Sequence, residues 1–394
     1  MDLKEAALKL HRENKGKLAV KSKVKVATKE DLSLVYTPGV AEVCMEIANN
    51  PKAVYEYTMK SNSVAVVTDG SAVLGLGNIG AEASLPVMEG KCVLFKELAG
   101  IDAFPICIKN QNDDEIINIV RNVAPAFGCI NLEDIAAPRC FKIEDSLQDL
   151  GIPVMHDDQH GTAIVVLAAL INAAKVVGKN IGEMKIVVNG VGAAGTAITK
   201  LLLCIGIDRK ICTSVKEIVL CDSKGIVYDG RPDLNDIKKA LAKITNSQKR
   251  KGTLKEALRG SDAFIGVSKG NLLTADDLKA MNKNAIVFAM ANPVPEIMPN
   301  EANKIAAVVG TGRSDFPNQI NNSLAFPGLF RGALDAKATK ISNEMKIAAA
   351  AAIAGCVNPA KNNILPHTLD KNVVAKVAEA VKKAAIETGV VRND

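Results

Sequence analysis

The sequence predicts an α/β protein of two domains, and three observations carry that expectation. At 394 residues the chain is longer than one average core encloses. Beyond residue 161, short and wholly apolar runs alternate with helix-like stretches, the pattern of a parallel sheet covered on both faces. A glycine-rich turn follows the first of those runs and opens a helix.

Composition narrows the classes. Apolar residues make up 48% and charged residues 23%, ordinary for a folded globular protein. Aromatics are 3% and tryptophan is absent, which speaks against base-stacking surfaces and a carbohydrate-binding face. No nucleic-acid partner is expected. The net charge of +6 is spread along the chain, and the one dense patch, SQKRKG at 247–252, reads as a solvated loop or helix end. Nine cysteines without a C-x-x-C pair do not form a disulfide framework. Most lie in apolar stretches (Cys107, Cys204), so reduced, buried thiols are expected. The N-terminus lacks a signal-peptide pattern and no uninterrupted apolar run reaches 18 residues, so no membrane span is expected and the cytoplasm is the expected compartment.

The elements follow in order. Residues 1–15 read as an amphipathic helix, and Pro38-Gly39 punctuates a turn that feeds another. SVAVVTDGSAVLGLGNIG (63–80) reads as a strand, a turn, a second short strand and a glycine-rich turn. EGKCVLF reads as Gly90 and Lys91 entering a buried strand. NDDEIINIVRNVAPAFG is a helix, whereas CINLEDI and IPVMHDD are short apolar runs ending in acids. A long apolar helix is expected from Thr162. Five strands then follow: KIVVNG, EIVLCD, DAFIGVS, AIVFAMANP and AAVVGTG. The boundary is placed near 160, giving domains 1–160 and 161–394, with the C-terminal helices packed back onto the second.

In KIVVNGVGAAGTAITKLLL, Gly190, Gly192 and Gly195 stand in G-x-G-x-x-G spacing between a strand and a helix. Gly190 permits the tight turn, Gly192 lets backbone approach a pyrophosphate, and Gly195 lets the helix pack closely. A Rossmann-type, doubly wound sheet binding NAD or NADP follows. Asp222 ends the next strand, where a carboxylate accepts ribose hydroxyls, which tips the expectation toward NAD. Ser223 and Lys224 come next, and a lysine beside the 2′ position keeps NADP open. Asn292 ends the AMANP strand and is expected to face the crevice.

The stretch GIPVMHDDQHGTAIVV (151–166) raises two readings. His156 and His160 are four apart, as in a zinc motif, but they are expected at a strand end and in a turn rather than on one helical face. Glu133, Asp134 and Asp158 instead close two neighbouring apolar runs, a hard-oxygen set suited to Mg²⁺ or Mn²⁺. Asp157 is a candidate partner behind them, with Gln159 and His160 holding the turn. A depressed pKa would make Lys91 a candidate base; Tyr36 is ambiguous alone.

Together the motifs YTPGVA, TDGSAVLGLGNIG, EGKCVLF, AGIDAFPICI, NLEDI, HDDQHGTA, FAMANPVPEI and NNSLAFPG resemble the malic enzyme family, in order, over nearly the whole chain. The resemblance is to the short form, without a C-terminal acyltransferase-like domain. It implies an N-terminal α/β catalytic domain and metal-dependent oxidative decarboxylation of malate to pyruvate and CO₂ with reduction of NAD(P). It also implies Glu133, Asp134 and Asp158 as metal ligands, Asp157 behind them, Lys91 as general base and Tyr36 as general acid. Asn292 and Asn322 would hold substrate carboxylates, and the chain would form at least a homodimer. One departure is Ala72, where long-form members place a malate-gripping arginine. Two rivals remain, a non-catalytic nucleotide sensor and a zinc hydrolase built on the histidines; a metal titration separates them.

Overall fold

A computed structural model describes residues 2–392. Two parallel sheets organise it. The first has β1 (Ser63–Thr68), β2 (Asp102–Cys107), β3 (Cys129–Leu132) and β4 (Val154–His156) in the order β2-β1-β3-β4. The second has β5 (Lys185–Asn189), β6 (Glu217–Asp222), β7 (Gly225–Ile226), β8 (Ala263–Gly266), β9 (Ile286–Ala289) and β10 (Val308–Thr311) in the order β10-β9-β8-β5-β6-β7. Only β7 is antiparallel. The five expected strands of the second sheet are all present.

Side chains on a strand alternate between faces, and both sheets use both faces. On β1, Val64 and Val66 enter one core while Ala65 and Val67 enter another. On β5, Ile186 and Val188 enter the first of these cores, and Val187 a third. The shared core spans the two sheets. At its centre runs the helix Asp157–Val177, buried along most of its length. By length and apolarity this helix is the one among the described residues that would cross a membrane, but here it is the core helix. Asn172 anchors it by donating to the Ala354 and Ile364 carbonyls at 2.8 and 2.9 Å. Helices Ala193–Leu202 and Asn343–Ala354 pack on it.

Four expectations need correction. The residues around Lys91 form the helix Ala81–Ala99, not a strand. Its apolar face is claimed by Phe95, which stacks edge-on against Phe326 and Phe330 at 4.8 and 5.4 Å. Those rings lie on the helix Phe326–Asp335, so the C-terminal helices also bridge to the first sheet's layer. The helix expected from Thr162 begins at Asp157, because His156 takes the extended cap position and two acids favour the first helical turn. No second strand follows β1; Val73 and Gly77 form an isolated bridge. Finally, Cys204 is not a reduced thiol but is joined to Cys212.

Candidate active site

The carboxyl ends of β3 and β4 deliver the acids. β3 ends at Leu132, so Glu133 and Asp134 leave the sheet side by side, Asp134 with a left-handed φ of 52°. β4 ends at His156, and Asp158 sits in the first turn of the helix that follows. Glu133, Asp134 and Asp158 bring ligand oxygens within 4.8 Å of one another. Among the described residues no other such group of three converges, and neither histidine belongs to it. Glu133 accepts a bond from Asn131 at 2.8 Å, and Asp158 accepts the Asp134 N–H at 2.8 Å.

Lys91 enters from the helix Ala81–Ala99, 8% exposed. Its ammonium donates to Glu133 at 2.8 Å and Asp157 at 2.5 Å, and stands 4.0 Å from the Phe326 ring centre. Burial alone would lower its pKa, but Asp157, Glu133 and Asp158 outweigh burial and raise it. The expected depression is therefore reversed; it presumed an apolar strand, whereas the lysine faces acids. The acids shift upward as well. Burial, followed by the charges of Asp158 and Glu133, pushes Asp134 up to about 8. Burial, with Glu133 beside it, moves Asp157 to about 6. Asn322, at the start of the 3-10 turn Asn322–Leu324 before the helix Phe326–Asp335, donates to Asp157 at 2.7 Å. A Cβ at Gly161 would collide with Asp157 Oδ1 and lie 3.2 Å from Asn322 Cβ, so the close approach requires glycine there.

Lys91, Glu133, Asp134, Asp158, Asn322 and Phe326 line one cavity of about 490 Å³. Asp134 Oδ2 and Asp157 Oδ1 are buried without a hydrogen-bond partner. Crowded, partly orphaned carboxylates with raised pKa values suit a hard divalent cation. Asp158, one third exposed, is at the mouth. Behind it, buried Glu144 accepts from the His156 N–H at 2.9 Å and Gln159 at 2.9 Å and pairs with His160 at 3.1 Å. Glu144 thus holds the HDDQH stretch in place, a role no sequence signal reveals.

The glycine turn follows β5 where the strand order reverses, with β6 on one side and β8 on the other. Gly190 has a φ of 111°, and a Cβ at Gly195 would strike the Gly190 carbonyl, while Gly192 faces open space. Gly190, Gly192, Asp222, Ser223, Lys224 and Lys238 line a crevice of about 850 Å³. Asp222 is not free: its Oδ2 carries Arg231 at 2.5 Å and Lys238 at 2.7 Å, and its Oδ1 takes the Lys224 N–H at 3.0 Å. Two expected residues stand exposed and apart from both cavities. Tyr36 is 68% exposed at the end of the helix Lys29–Val35. Asn292 is exposed beyond β9, and its carbonyl lies where a Cβ on Gly75 would meet it at 2.7 Å.

Comparison with known proteins matches this frame. The malic enzyme N-terminal domain matches residues 13–118 and 110–148, and the malic enzyme NAD binding domain matches 159–386. A bifunctional malic/malolactic enzyme of Bacillus subtilis is 56% identical over 398 residues, covering 100% of this chain and 95% of its own. An NAD-dependent malic enzyme of Geobacillus stearothermophilus is 52% identical, covering 96% and 78%. A crystal structure of an NAD-dependent malic enzyme from Thermotoga maritima superposes with a TM-score of 0.91 at 49% identity, covering 95% of this chain and 98% of that one. With both domain models matched in sequence order over most of its length, the chain belongs to the malic enzyme family.

Proposed function

We propose that this protein oxidises malate and decarboxylates the product to pyruvate and CO₂, reducing NAD(P), with Mg²⁺ or Mn²⁺ held by Glu133, Asp134 and Asp158. The observation that carries the reading is the single cavity in which a lysine and those three acids meet. A divalent ion there supplies charge for the developing oxygen anions of substrate and product. Lys91 would take the substrate hydroxyl proton after its ammonium, bonded to Glu133 and Asp157, has passed one proton to Asp157. Asp157 orients the lysine, and Asn322, which donates to Asp157, is placed to offer an amide to a substrate carboxylate. Asn292 is retained as a second carboxylate-holding residue. Nothing in the pocket replaces an arginine at Ala72 outright, although Lys17 lines the same cavity. The division at 160 is supported by β4 ending at His156 and by the family models meeting between 148 and 159.

Tyr36 as acid for the product enolate requires a different placement of the first 60 residues. That segment exposes Leu3, Leu8, Val20, Val24, Leu34 and Met45, an apolar surface suited to a second copy. A homodimer accommodates both facts. The cytoplasm is the proposed compartment. Malate-dependent NAD(P)H absorbance that appears with Mg²⁺ or Mn²⁺ and vanishes on chelation tests the reading; absence of turnover with either nucleotide in the presence of metal would defeat it.

A further inference from the structure

A third cavity abuts the turn that carries Asp158. Asp158 lines the cavity around Lys91, whereas the next two residues, Gln159 and His160, line another of about 300 Å³. Its walls come from the helices Arg139–Ser146, Asp157–Val177, Ala193–Leu202 and Asn343–Ala354. Its lining shares no residue with the cavity around Lys91 or with the crevice at the glycine turn.

The charged groups of this cavity divide by depth. Asp145 and Lys200 are exposed, and their opposite charges stand in solvent. Glu144 and Lys346 are both buried, and they are served unequally. Glu144 already accepts from the His156 N–H and from Gln159 and pairs with His160. Lys346 is 9% exposed, and its ammonium has three protons to donate. It makes one long hydrogen bond, to Asn343 Oδ1 at 3.4 Å, and no ion pair among the described residues. Burial pulls its pKa down, and the charge of Glu144 offsets that pull only in part. A second group is also left unserved. Thr196, on the helix Ala193–Leu202, is 1% exposed, and its hydroxyl has no partner.

A buried ammonium without a counter-ion is costly, and buried charges are ordinarily paired. Water can satisfy the threonine hydroxyl but brings no charge. An oxyanion brings the charge and several acceptor lone pairs together. We propose that this cavity is a binding site for a small oxyanion, a carboxylate or phosphate group, whose oxygens accept from the Lys346 ammonium and the Thr196 hydroxyl. Glu144 does not bar it, because its own oxygens are engaged by three neighbours. Lys200, exposed and without an ion pair among the described residues, adds attraction at the mouth. The site does not rest on the proposed reaction. An anion seated there would touch the same turn that aims Asp158 into the neighbouring cavity.

The test is calorimetric titration of the full chain with inorganic phosphate and with acetate at constant ionic strength. At least one of the two should bind saturably. Lys346→Met, which keeps the length of the side chain and removes its charge, should weaken that binding by roughly 10–100-fold, the worth of a hydrogen bond to a charged group. Thr196→Val should weaken it by roughly 2–10-fold, the worth of a neutral one. Lys238→Ala, in the separate lysine-lined crevice, should leave it unchanged. Binding of phosphate alone or of acetate alone, with these responses, supports the site and identifies the group it takes. Saturable binding of neither anion would overturn the inference. So would binding that survives both Lys346→Met and Thr196→Val, or binding that Lys238→Ala abolishes. Thr196→Val preserves side-chain shape, so it decides the matter if Lys346→Met does not fold.

Discussion

Two strand ends of this molecule hold buried aspartates under opposite charge regimes. At the ends of β3 and β4, Glu133, Asp134, Asp157 and Asp158 share one lysine. At the end of β6, Asp222 receives both Arg231 and Lys238, and Asp233 shares the arginine. The titration behaviour follows. In the first group burial and mutual repulsion push Asp134 up to about 8. In the second, burial is overcome by hydrogen bonds from Arg231 and Lys238, and Asp222 falls to about 2. An under-compensated acid cluster suits a cation, and an over-compensated one suits an anion. The sign of a ligand is thus readable from the charge balance of the residues that would hold it.

Asp158→Ala should break the first regime most severely. Malate turnover should drop by roughly 10⁴-fold or more, because several kcal/mol of charge stabilisation leaves with the ion. Dinucleotide binding should stay nearly intact, since Asp158 and the glycine turn line different cavities. Steady-state kinetics alongside calorimetric titration reads both, and a parallel loss of nucleotide affinity would show that the two regions are not separate. Lys91→Ala should cost roughly 10²–10⁴-fold in malate oxidation, the usual worth of a positioned base. Decarboxylation of added oxaloacetate should suffer less; an equal loss in both partial reactions would remove Lys91 from the proton-transfer step.

Glu144→Gln probes a third regime, a buried acid held by hydrogen bonds from its neighbours. Burial would raise its pKa, but His160, Lys346 and His156 hold it down at about 2. The folded value lies below the unfolded value of about 4.5, so the carboxylate stabilises the fold fully above pH 4.5. That contribution fades as pH falls toward 2 and amounts to about 3 kcal/mol. Chemical denaturation at pH 7 and at pH 3 should show the gap between wild type and variant narrowing in acid. A gap that widens in acid would reverse the assignment.

The second sheet was legible because its strands are short, wholly apolar and punctuated, and because the G-x-G-x-x-G turn needs only local geometry. The acid triad was legible from its placement at the ends of apolar runs. Lys91 was misplaced on a strand because VLF after a glycine has strand composition; the helix is settled by Phe95 meeting Phe326 and Phe330, more than 200 positions away. The partners of Asp222 and the clamp by Glu144 left no trace, since a tertiary ion pair has no periodicity. Tyr36 was found by motif alone, and the fold of one chain leaves it at the surface.

The helix Asp157–Val177 has a consequence for how the protein comes together. Its first turn presents two aspartates to one sheet, while the remainder is enclosed by helices that cover the other. A nascent chain that has reached Asp158 has therefore made all four acids before the helices that enclose the rest of this one. The cavity around Lys91 also draws Asn322 and Phe326 from far downstream. The walls of that cavity are consequently complete only once the chain has reached Phe326.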